Sequence, residues 1–521
     1  MLTRRRTMAT AAALPLLGRA LPASAQAPAS PGGRLVVATQ SSPRSLEPTR
    51  EFSNVSWRIG YNVFEGLIRV DYKNEFKLVP GLAQSWRRLS PTVLELTLKD
   101  GVRFHDASVL TAEDVAFSFG PERMQGEGAP GRAISRIFVG TVQRVDALDA
   151  RTVRVTTHAP DPLLEQRLAG WAGQIISKRA WLAAASFEAW ERAPVGTGPY
   201  KVREFRIDQR CVLEAHAAYH GGVVPAREIV FEVRPELASR IAALATGEVD
   251  LITEMSVDQV GEVARLPGRD VVGGPILNLR VLVFDQNHPV LADARVRRAL
   301  ALAIDRRAIV DGLYGGRTRV ADTYQHAVFG ALNDPGRAGH RFDPDAARRL
   351  LREAGYAGQP IPYRTHQGYY AQQAQTAQVL AEMWKQVGLN VELQFRENWT
   401  QILEPGPTRA IRDWSNSILF GDPAGGLGRL FGPRGPVQGG YREWTNARFN
   451  SLATTLETSV EPDQRRAAFQ RMLDIWESTD PPGTTLHELV MLYGKKSSID
   501  WTPYPVEYMD FGPGNLAFRQ T

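Results

Sequence analysis

Between residues 228 and 252 the sequence changes from a strand pattern to a helix pattern and back within a short distance. Residues 228–233 (Glu-Ile-Val-Phe-Glu-Val) are rich in β-branched and aromatic side chains, which favour a strand. Residues 238–246 are typical of a helix that ends at Gly247, and residues 249–252 read as another strand. A strand, a helix and a strand joined this closely indicate a layered α/β fold.

Further segments extend this pattern along the chain. Strands are predicted at 34–39, 93–98, 152–156 and 391–395. Helices are predicted at 296–310, with a polar break at Asp305, and at 374–387. Asp343 and Pro344 are typical of a helix start, and Gly355 of its end. The glycine-rich stretch 418–440 is predicted to be a long loop, and 521 residues are enough for two or three domains.

The first 25 residues have the order of an export signal. Arg4, Arg5 and Arg6 precede an apolar run over 8–17, and small residues follow up to Ala25, where we expect cleavage. The arginines also resemble a twin-arginine signal, so the twin-arginine and general secretory routes both remain open. The sequence therefore predicts a periplasmic protein that is soluble after the signal, residues 1–25, is removed.

Charge and cysteine content restrict the function further. The chain has 62 basic and 56 acidic residues, and removal of the signal leaves 58 against 56. A net charge of +2 gives no reason to expect a nucleic-acid partner. Cys211 is the only cysteine, so an internal disulfide is impossible, and its strand-like surroundings predict a small buried side chain.

Several segments, taken together and in order, resemble the peptide-type periplasmic solute-binding proteins of ABC importers, bacterial extracellular solute-binding protein family 5. This class includes receptors for dipeptides, oligopeptides, nickel and glutathione. The segments are Asn62-Val-Phe-Glu-Gly-Leu67, Leu78-Val-Pro-Gly-Leu-Ala-Gln-Ser-Trp86, Leu98-Lys-Asp-Gly-Val-Arg-Phe-His-Asp106, Leu110-Thr-Ala-Glu-Asp-Val115, Gly196-Thr-Gly-Pro-Tyr200, Gly247-Glu-Val-Asp-Leu251, Val296-Arg-Arg-Ala-Leu-Ala-Leu-Ala-Ile-Asp-Arg306 and Asp343-Pro-Asp-Ala-Ala-Arg-Arg-Leu-Leu-Arg-Glu-Ala-Gly355.

The resemblance implies an α/β, periplasmic-binding-protein-like fold of two lobes with a hinge and an extra subdomain inserted in lobe one. By this analogy lobe one takes 32–54, 187–277 and 487–521, the insertion takes 55–186, and lobe two takes 278–486. The ligand would be held between the lobes, and the closed form would engage a membrane permease. The chain is expected to be a monomer.

The resemblance also implies a set of ligand-binding residues. They come from the segment after the first strand, the hinge strand, the second-lobe loops and the return into lobe one. The set is Phe52, Ser53, Asn54, Asn278, Trp399, Asp413, Leu419, Asp422, His487 and Glu488.

One of these positions departs from the family pattern. Peptide-binding relatives hold the ligand's α-ammonium with an aspartate shortly before an acidic-proline pair, and the matching residue here is Leu419. A buried ammonium without a carboxylate is costly, so peptides with a free amino terminus are expected to bind poorly. Asp413, Asp422 or Glu488 are the candidates that could replace the missing acid.

Enzyme and metal signatures are absent from the sequence. It contains neither the Gly-x-Ser-x-Gly elbow of a hydrolase nor a phosphate-binding Gly-x-x-x-x-Gly-Lys loop. His487 and Glu488 begin like a zinc-protease motif, but Met491 stands where the second histidine should be. We therefore expect no catalysis, no metal site and no cofactor.

The resemblance implies capture of a small peptide or peptide-like polar solute for an ABC importer. The alternatives are a receptor for another solute, such as an opine, a glutathione-like molecule, a sugar or a metal chelate, and a periplasmic sensor or chaperone. A nickel-chelate receptor would need a histidine near the pocket, for which His487 is the candidate.

Overall fold

The computed structural model describes residues 32–519. The predicted export signal, 1–25, lies outside the described residues. The strands are β1 Gly32–Thr39, β2 Ile68–Asp71, β3 Lys77–Pro80, β4 Ala83–Ser90, β5 Val93–Leu98, β6 Val142–Ala147, β7 Thr152–Thr157, β8 Tyr200–Arg206, β9 Arg210–Ala215, β10 Ala226–Val233, β11 Leu251–Ile252, β12 Arg269–Phe284, β13 Ile361–His366, β14 Val391–Arg396, β15 Ile411–Ser417, β16 Gly483–Lys496, β17 Ile499–Trp501 and β18 Leu516–Phe518.

Helices lie between these strands along most of the chain. They are α1 Asn54–Gly60, α2 Ala112–Ser118, α3 Arg132–Phe138, α4 Leu164–Ala169, α5 Lys178–Ala183, α6 Phe187–Arg192, α7 Leu237–Thr246, α8 Val260–Ala264, α9 Ala294–Leu302, α10 Arg306–Tyr314, α11 Pro344–Glu353, α12 Gln373–Gln386, α13 Trp399–Leu403, α14 Leu427–Phe431, α15 Ala447–Thr458 and α16 Pro462–Asp474.

Ten strands form one large mixed sheet. Its order is β14-β13-β15-β12-β16-β11-β1-β10-β9-β8. Each half contains a parallel group, β10-β1-β11 in one and β14-β13-β15 in the other. The long antiparallel strands β12 and β16 join the two halves. The sheet is therefore two α/β units connected through a central pair of strands.

Both faces of each half of the sheet are buried. In β1, Leu35 and Val37 belong to one apolar core, whereas Val36 and Ala38 belong to the core on the opposite face. Alternate residues of β12 divide in the same way between two cores of the other half. Burial on both faces is the usual environment of parallel strands and explains their continuous apolar runs.

A separate four-stranded antiparallel sheet, in the order β4-β5-β7-β6, lies within residues 83–157. Strands β5 and β7 turn alternate side chains into a core of their own, including Leu94 and Leu96 from β5. Trp57 of α1 and Phe420, which follows β15, belong to the same core. This sheet is therefore held against both halves of the large sheet.

Several element boundaries agree with the sequence. The strand predicted at 93–98 coincides with β5. The polar break at Asp305 separates α9 from α10, because its side chain accepts from the backbone N–H of Ala308 at 3.0 Å and caps the second helix. Gly247 ends α7 with a φ of 81°, a left-handed conformation that glycine adopts without strain. Cys211 is buried, as predicted.

The prediction of a long loop over 418–440 is wrong in part. This stretch contains α14, whose Leu427, Leu430 and Phe431 are fully buried in the core of the second half. Their i, i+3 and i+4 spacing is that of one helix face, and the glycine content obscured it.

Candidate functional site

The central ladder between β12 and β16 is interrupted near its middle. Pro275 pairs with Val490 and Leu279 pairs with Glu488, so residues 276–278 face a single residue of the other strand. The backbone N–H of Leu277 instead donates to the carbonyl of Pro505 at 2.8 Å. Such irregularities are frequent beside binding sites, because they free a strand to contact another segment.

A cavity of about 100 Å³ lies beside this interruption. Four parts of the chain supply most of its lining: α1, the β2–β3 hairpin, the segment that follows β15, and the segment 506–508 near the C terminus. Its lining residues include Trp57, Tyr72, Ser417, Leu419, Glu507 and Tyr508. The cavity therefore lies beside the central strands, between the β2–β3 hairpin, the segment that follows β15 and the C-terminal segment.

Glu507 is the one charged residue among those lining this cavity. The side-chain amide of Asn278 donates to its Oε1 at 3.1 Å, and the hydroxyl of Ser417 donates to the same atom at 3.2 Å. Asn278 also donates to the Ser417 oxygen at 3.0 Å. Burial raises the pKa of the Glu507 carboxyl, because its charged form is removed from water. Ser417 and Glu507, which Asn278 holds from behind, thus form a polar part of a wall that is otherwise mostly apolar.

Aromatic rings form much of the remaining wall. Tyr508 is central, with its ring centroid 5.9 Å from Trp57, 5.8 Å from Tyr72 and 4.9 Å from Tyr61, which it stacks upon. Trp171 stacks on the opposite side of Tyr508 at 5.9 Å. The rings are held by their mutual packing, so they form a preorganised apolar surface.

A second cavity of about 60 Å³ adjoins the first and shares Tyr72 and Tyr508 with it. Its lining is more polar and contains Arg69, which lies 3.8 Å from Asp510. Its Gln174 side-chain oxygen is buried and accepts no hydrogen bond within the described part of the chain. The two cavities are therefore adjacent, and Val70, Ala169 and Gly170 also line both of them.

Two of the residues predicted for the ligand site belong to this arrangement. Leu419 lines the cavity directly, and Asn278 positions Glu507 from the adjacent strand β12. Nearby, Phe52 packs edge to face on Trp57 at 4.7 Å, and Ser53 caps α1. These positions fit the expectation, although their contact with a ligand stays a prediction.

The other predicted residues lie elsewhere. Asn54 donates to the carboxylate of Glu254 at 3.1 Å. Trp399 packs on Trp414 and Tyr369, each at 5.1 Å, near the carboxyl ends of β13 and β15. Neither of the two lines the cavity beside Glu507.

The three acids proposed as replacements for the missing aspartate already have cationic partners. Asp413 pairs with Arg280 at 2.7 Å, and Asp422 pairs with Arg465 at 2.7 Å. Glu488 lies 3.4 Å from Arg319 and from His326. None of the three acids lines either cavity.

His487 is buried behind the central strands. Its Nδ1 lies 2.7 Å from the carbonyl of Glu488 and its ring packs on Tyr314 at 4.5 Å. Burial lowers its pKa to about 4. His487 lines neither of the two cavities.

Sequence reasoning missed Glu507 and Tyr508. They lie in the segment 502–511, which has no regular secondary structure and therefore no periodic pattern to interpret. The available signal was local: an acid enclosed by tyrosines and prolines in Pro503-Tyr-Pro-Val-Glu-Tyr508, close to the predicted return into lobe one.

Comparison with known proteins places this site in context. The profile of bacterial extracellular solute-binding proteins, family 5, matches residues 77–436. Heme-binding protein A of Haemophilus influenzae is 25% identical over 481 residues, covering 86% of each chain. A putative ABC transporter peptide-binding protein of Brucella ovis is 29% identical over 411 residues, covering 74% of each.

Among solved structures, the ABC transporter-associated periplasmic binding protein DppA from Helicobacter pylori, in complex with the peptide STSA, superposes with a TM-score of 0.79. Its sequence identity is 21%, and the match covers 94% of this chain and 99% of that one. The likeness confirms the expected fold class, a two-lobed periplasmic-binding-protein-like fold. Within the described residues, no helix is both long and apolar enough to cross a bilayer.

Proposed function

This chain belongs to the bacterial extracellular solute-binding proteins of family 5, and on that premise we propose that it is the substrate-binding receptor of an ABC-type importer. It captures a small peptide or peptide-like polar solute in the periplasm and delivers it to a membrane permease. The relatives carry names that refer to peptide and to heme, so the family alone leaves the solute open.

One observation carries the proposal most directly. The cavity beside Glu507 is lined by residues of both proposed lobes and of the inserted subdomain, which contributes the β2–β3 hairpin and α4. A space formed only where separate units meet is suited to reversible enclosure of a solute, since movement of the units opens and closes it.

The lobe boundaries inferred from the sequence fit this arrangement, and we retain them: 32–54, 187–277 and 487–521 for lobe one, 55–186 for the inserted subdomain, and 278–486 for lobe two. The boundaries near 277 and 487 fall within β12 and β16, where their ladder is interrupted. This interruption is our candidate for the hinge, because few backbone hydrogen bonds oppose a bend there.

Contacts between the proposed lobes indicate a closed arrangement. The Phe420 ring of lobe two packs edge to face on Phe138 of the inserted subdomain at 5.9 Å. On the other side, the amide of Gln372 lies 3.5 Å from the carboxylate of Asp258. A solute of several residues would enter only after these contacts separate.

We further propose export by the signal at 1–25, a soluble periplasmic protein after its removal, and a monomer that performs no catalysis. Support comes from the basic, apolar and small-residue order of the segment and from the family's extracellular role. Mass spectrometry of the periplasmic fraction should give a protein that begins near Gln26. Recovery of the uncleaved chain would contradict this part of the proposal.

A thermal-shift panel tests the receptor function. The panel contains alanyl-leucine, trialanine, octopine, reduced glutathione, a nickel–histidine chelate and glucose, and calorimetry verifies each compound that raises the melting temperature. A ligand at 100 times its dissociation constant should add about 2.7 kcal/mol to the free energy of unfolding. Turnover of a compound, or no stabilisation by any of them, would count against a receptor for such solutes.

A further inference from the structure

We propose that the cavity beside Glu507 is a site for an organic ammonium group, held between the Glu507 carboxylate and the rings of Trp57, Tyr72 and Tyr508. This inference rests on the proposed receptor function and narrows its ligand to solutes that carry a positively charged nitrogen. It replaces the expectation, drawn from the apolar Leu419, that peptides with a free amino terminus bind poorly, because an acid on the C-terminal segment takes the anchoring role in the same cavity.

The first argument is the charge of Glu507. The residue is 8% exposed and forms no ion pair with any residue between 32 and 519. Its hydrogen-bond donors, Asn278 and Ser417, are both neutral. A buried carboxylate that has only neutral partners is costly unless a cation joins it, so the site is incomplete without a positively charged ligand.

The nearest arginines are engaged elsewhere. Arg429 donates to the side chain of Asn416, and its guanidinium reaches the carbonyl of Ser417 at 3.3 Å. Arg58 pairs with Glu254 and donates to Gln40 at 3.1 Å. Neither arginine forms an ion pair with Glu507, and the charge of Arg58 only partly offsets the effect of burial, so the pKa of Glu507 stays raised.

The second argument is an excess of hydrogen-bond acceptors. Asn278 uses its amide hydrogens on Ser417 and Glu507, and its Oδ1 finds no donor in the described chain although the residue is only 7% exposed. The Ser417 hydroxyl donates its hydrogen to Glu507. Of the three residues, Ser417 and Glu507 line the cavity, and an ammonium group, which supplies up to three donors and accepts none, is the complement of their oxygens.

The third argument is the aromatic enclosure. Three aromatic rings line the same cavity, those of Trp57, Tyr72 and Tyr508. The ring centroids of Trp57 and Tyr72 lie 5.9 and 5.8 Å from that of Tyr508. Ring faces attract cations, and this attraction grows when water is excluded. A carboxylate on one side and aromatic rings around it form an enclosure suited to an alkylammonium, because its apolar substituents also gain buried area.

Calorimetry on the full mature chain tests the inference. Alanyl-leucine and trialanine are compared with their N-acetylated forms, and octopine and glucose complete the set. The wild-type protein should bind the free-amine peptides at least tenfold more tightly than the acetylated ones. Glu507→Gln should reduce the affinity for free amines at least tenfold and change that for acetylated peptides little, because the amide keeps the shape and removes the charge.

Glu477→Gln is the matched control. Glu477 is another buried carboxyl whose pKa is raised by burial, but it pairs with Arg337 away from the cavity, so ligand affinities should be unchanged. The wild-type comparison needs no variant, so loss of folding in Glu507→Gln does not remove the test.

Four outcomes would overturn the inference. Equal wild-type affinities for free and acetylated peptides, or binding of glucose alone, would reject the ammonium site and leave the receptor function standing. Unchanged free-amine binding in Glu507→Gln would assign the anchor to another group. Absence of binding by every compound would instead reject the proposed function, on which the inference depends.

Discussion

The guanidinium of Arg280 on β12 lies 2.7 Å from the carboxylate of Asp413 on β15, and both side chains are almost completely shielded from water. Asp413 also accepts from the Tyr363 hydroxyl at 2.7 Å and from the Gln373 amide at 3.0 Å. With these partners the carboxylate is satisfied by the protein itself. Its position therefore indicates a structural role in joining β12 to β15.

Asp413→Asn should destabilise the protein without changing how it binds solutes. Removal of one partner leaves the Arg280 charge buried and unpaired, which typically costs about 3–5 kcal/mol. Urea unfolding followed by tryptophan fluorescence measures the loss. Asp345→Asn is the control, because Asp345 is exposed and its pair with Arg348 should contribute little. A loss of affinity in folded Asp413→Asn protein would return this residue to the binding site.

Leu419→Asp should place a second carboxylate in the cavity. Because Leu419 lines the same space as Glu507, we expect a lower melting temperature for the empty protein. The preference for free-amine over N-acetylated peptides should rise by about tenfold, equivalent to about 1.4 kcal/mol. Leu419→Asn is the control, because it introduces a side chain of similar size to aspartate without its charge. It should leave the preference for free-amine over N-acetylated peptides as it is in the wild type. An unchanged preference in the aspartate variant would show that position 419 does not contact the ligand's nitrogen.

Gly273→Ala should weaken the central strands at the proposed hinge. Gly273 has a φ of 107°, and an added Cβ would lie 2.2 Å from the carbonyl oxygen of Met491. The strained backbone and the clash both weaken the β12–β16 ladder. We expect the backbone strain alone to lower the free energy of unfolding by about 1–3 kcal/mol. Gly274→Ala is the neighbouring control, since nothing lies within 4 Å of its added Cβ. Equal melting temperatures of the two variants would show that β12 accommodates the change.

Buried histidines should make the protein sensitive to acid. Burial lowers the pKa of His105 and His340 to about 3 and that of His487 to about 4. An unfolded histidine titrates near 6.5, so between about pH 6.5 and 4 the unfolded chain binds protons that the folded chain does not. The free energy of unfolding should therefore fall with falling pH in this window, by about 1.4 kcal/mol per pH unit for each histidine.

Unfolding titrations of two variants isolate one of these contributions. His487→Gln should reduce the slope between pH 6.5 and 4 by about one proton, whereas His158→Gln, at an exposed position, should not change it. The same slope in His487→Gln and the wild type would place the acid sensitivity in other groups.

The sequence predicted most of the fold because its elements carry local signals. Asp305 and Asp343 cap helices with their own side chains, and Gly247 ends one by its left-handed backbone, so each boundary is encoded within a few residues. The α/β class followed from runs of β-branched residues between amphipathic helices. Such signals need no knowledge of distant contacts.

The site was harder to predict because its partners are distant in sequence. Glu507 meets Asn278 and Ser417 across 229 and 90 residues, and no periodic pattern marks the segment that carries it. The acids proposed for the anchor are buried against arginines that sequence spacing could not identify, as Asp422 is against Arg465. Leu419 was identified as a departure from the family pattern, but the acid facing the same cavity was not.

Small-angle scattering with and without ligand tests the central claim, that solute is captured by closure of two lobes about β12 and β16. The probe is the tightest-binding compound of the thermal-shift panel, added at 100 times its dissociation constant. We expect a more extended free protein and a smaller radius of gyration on saturation, with the bound curve matching the closed arrangement of the lobes. A compound that binds tightly and leaves the scattering curve unchanged would contradict capture by closure.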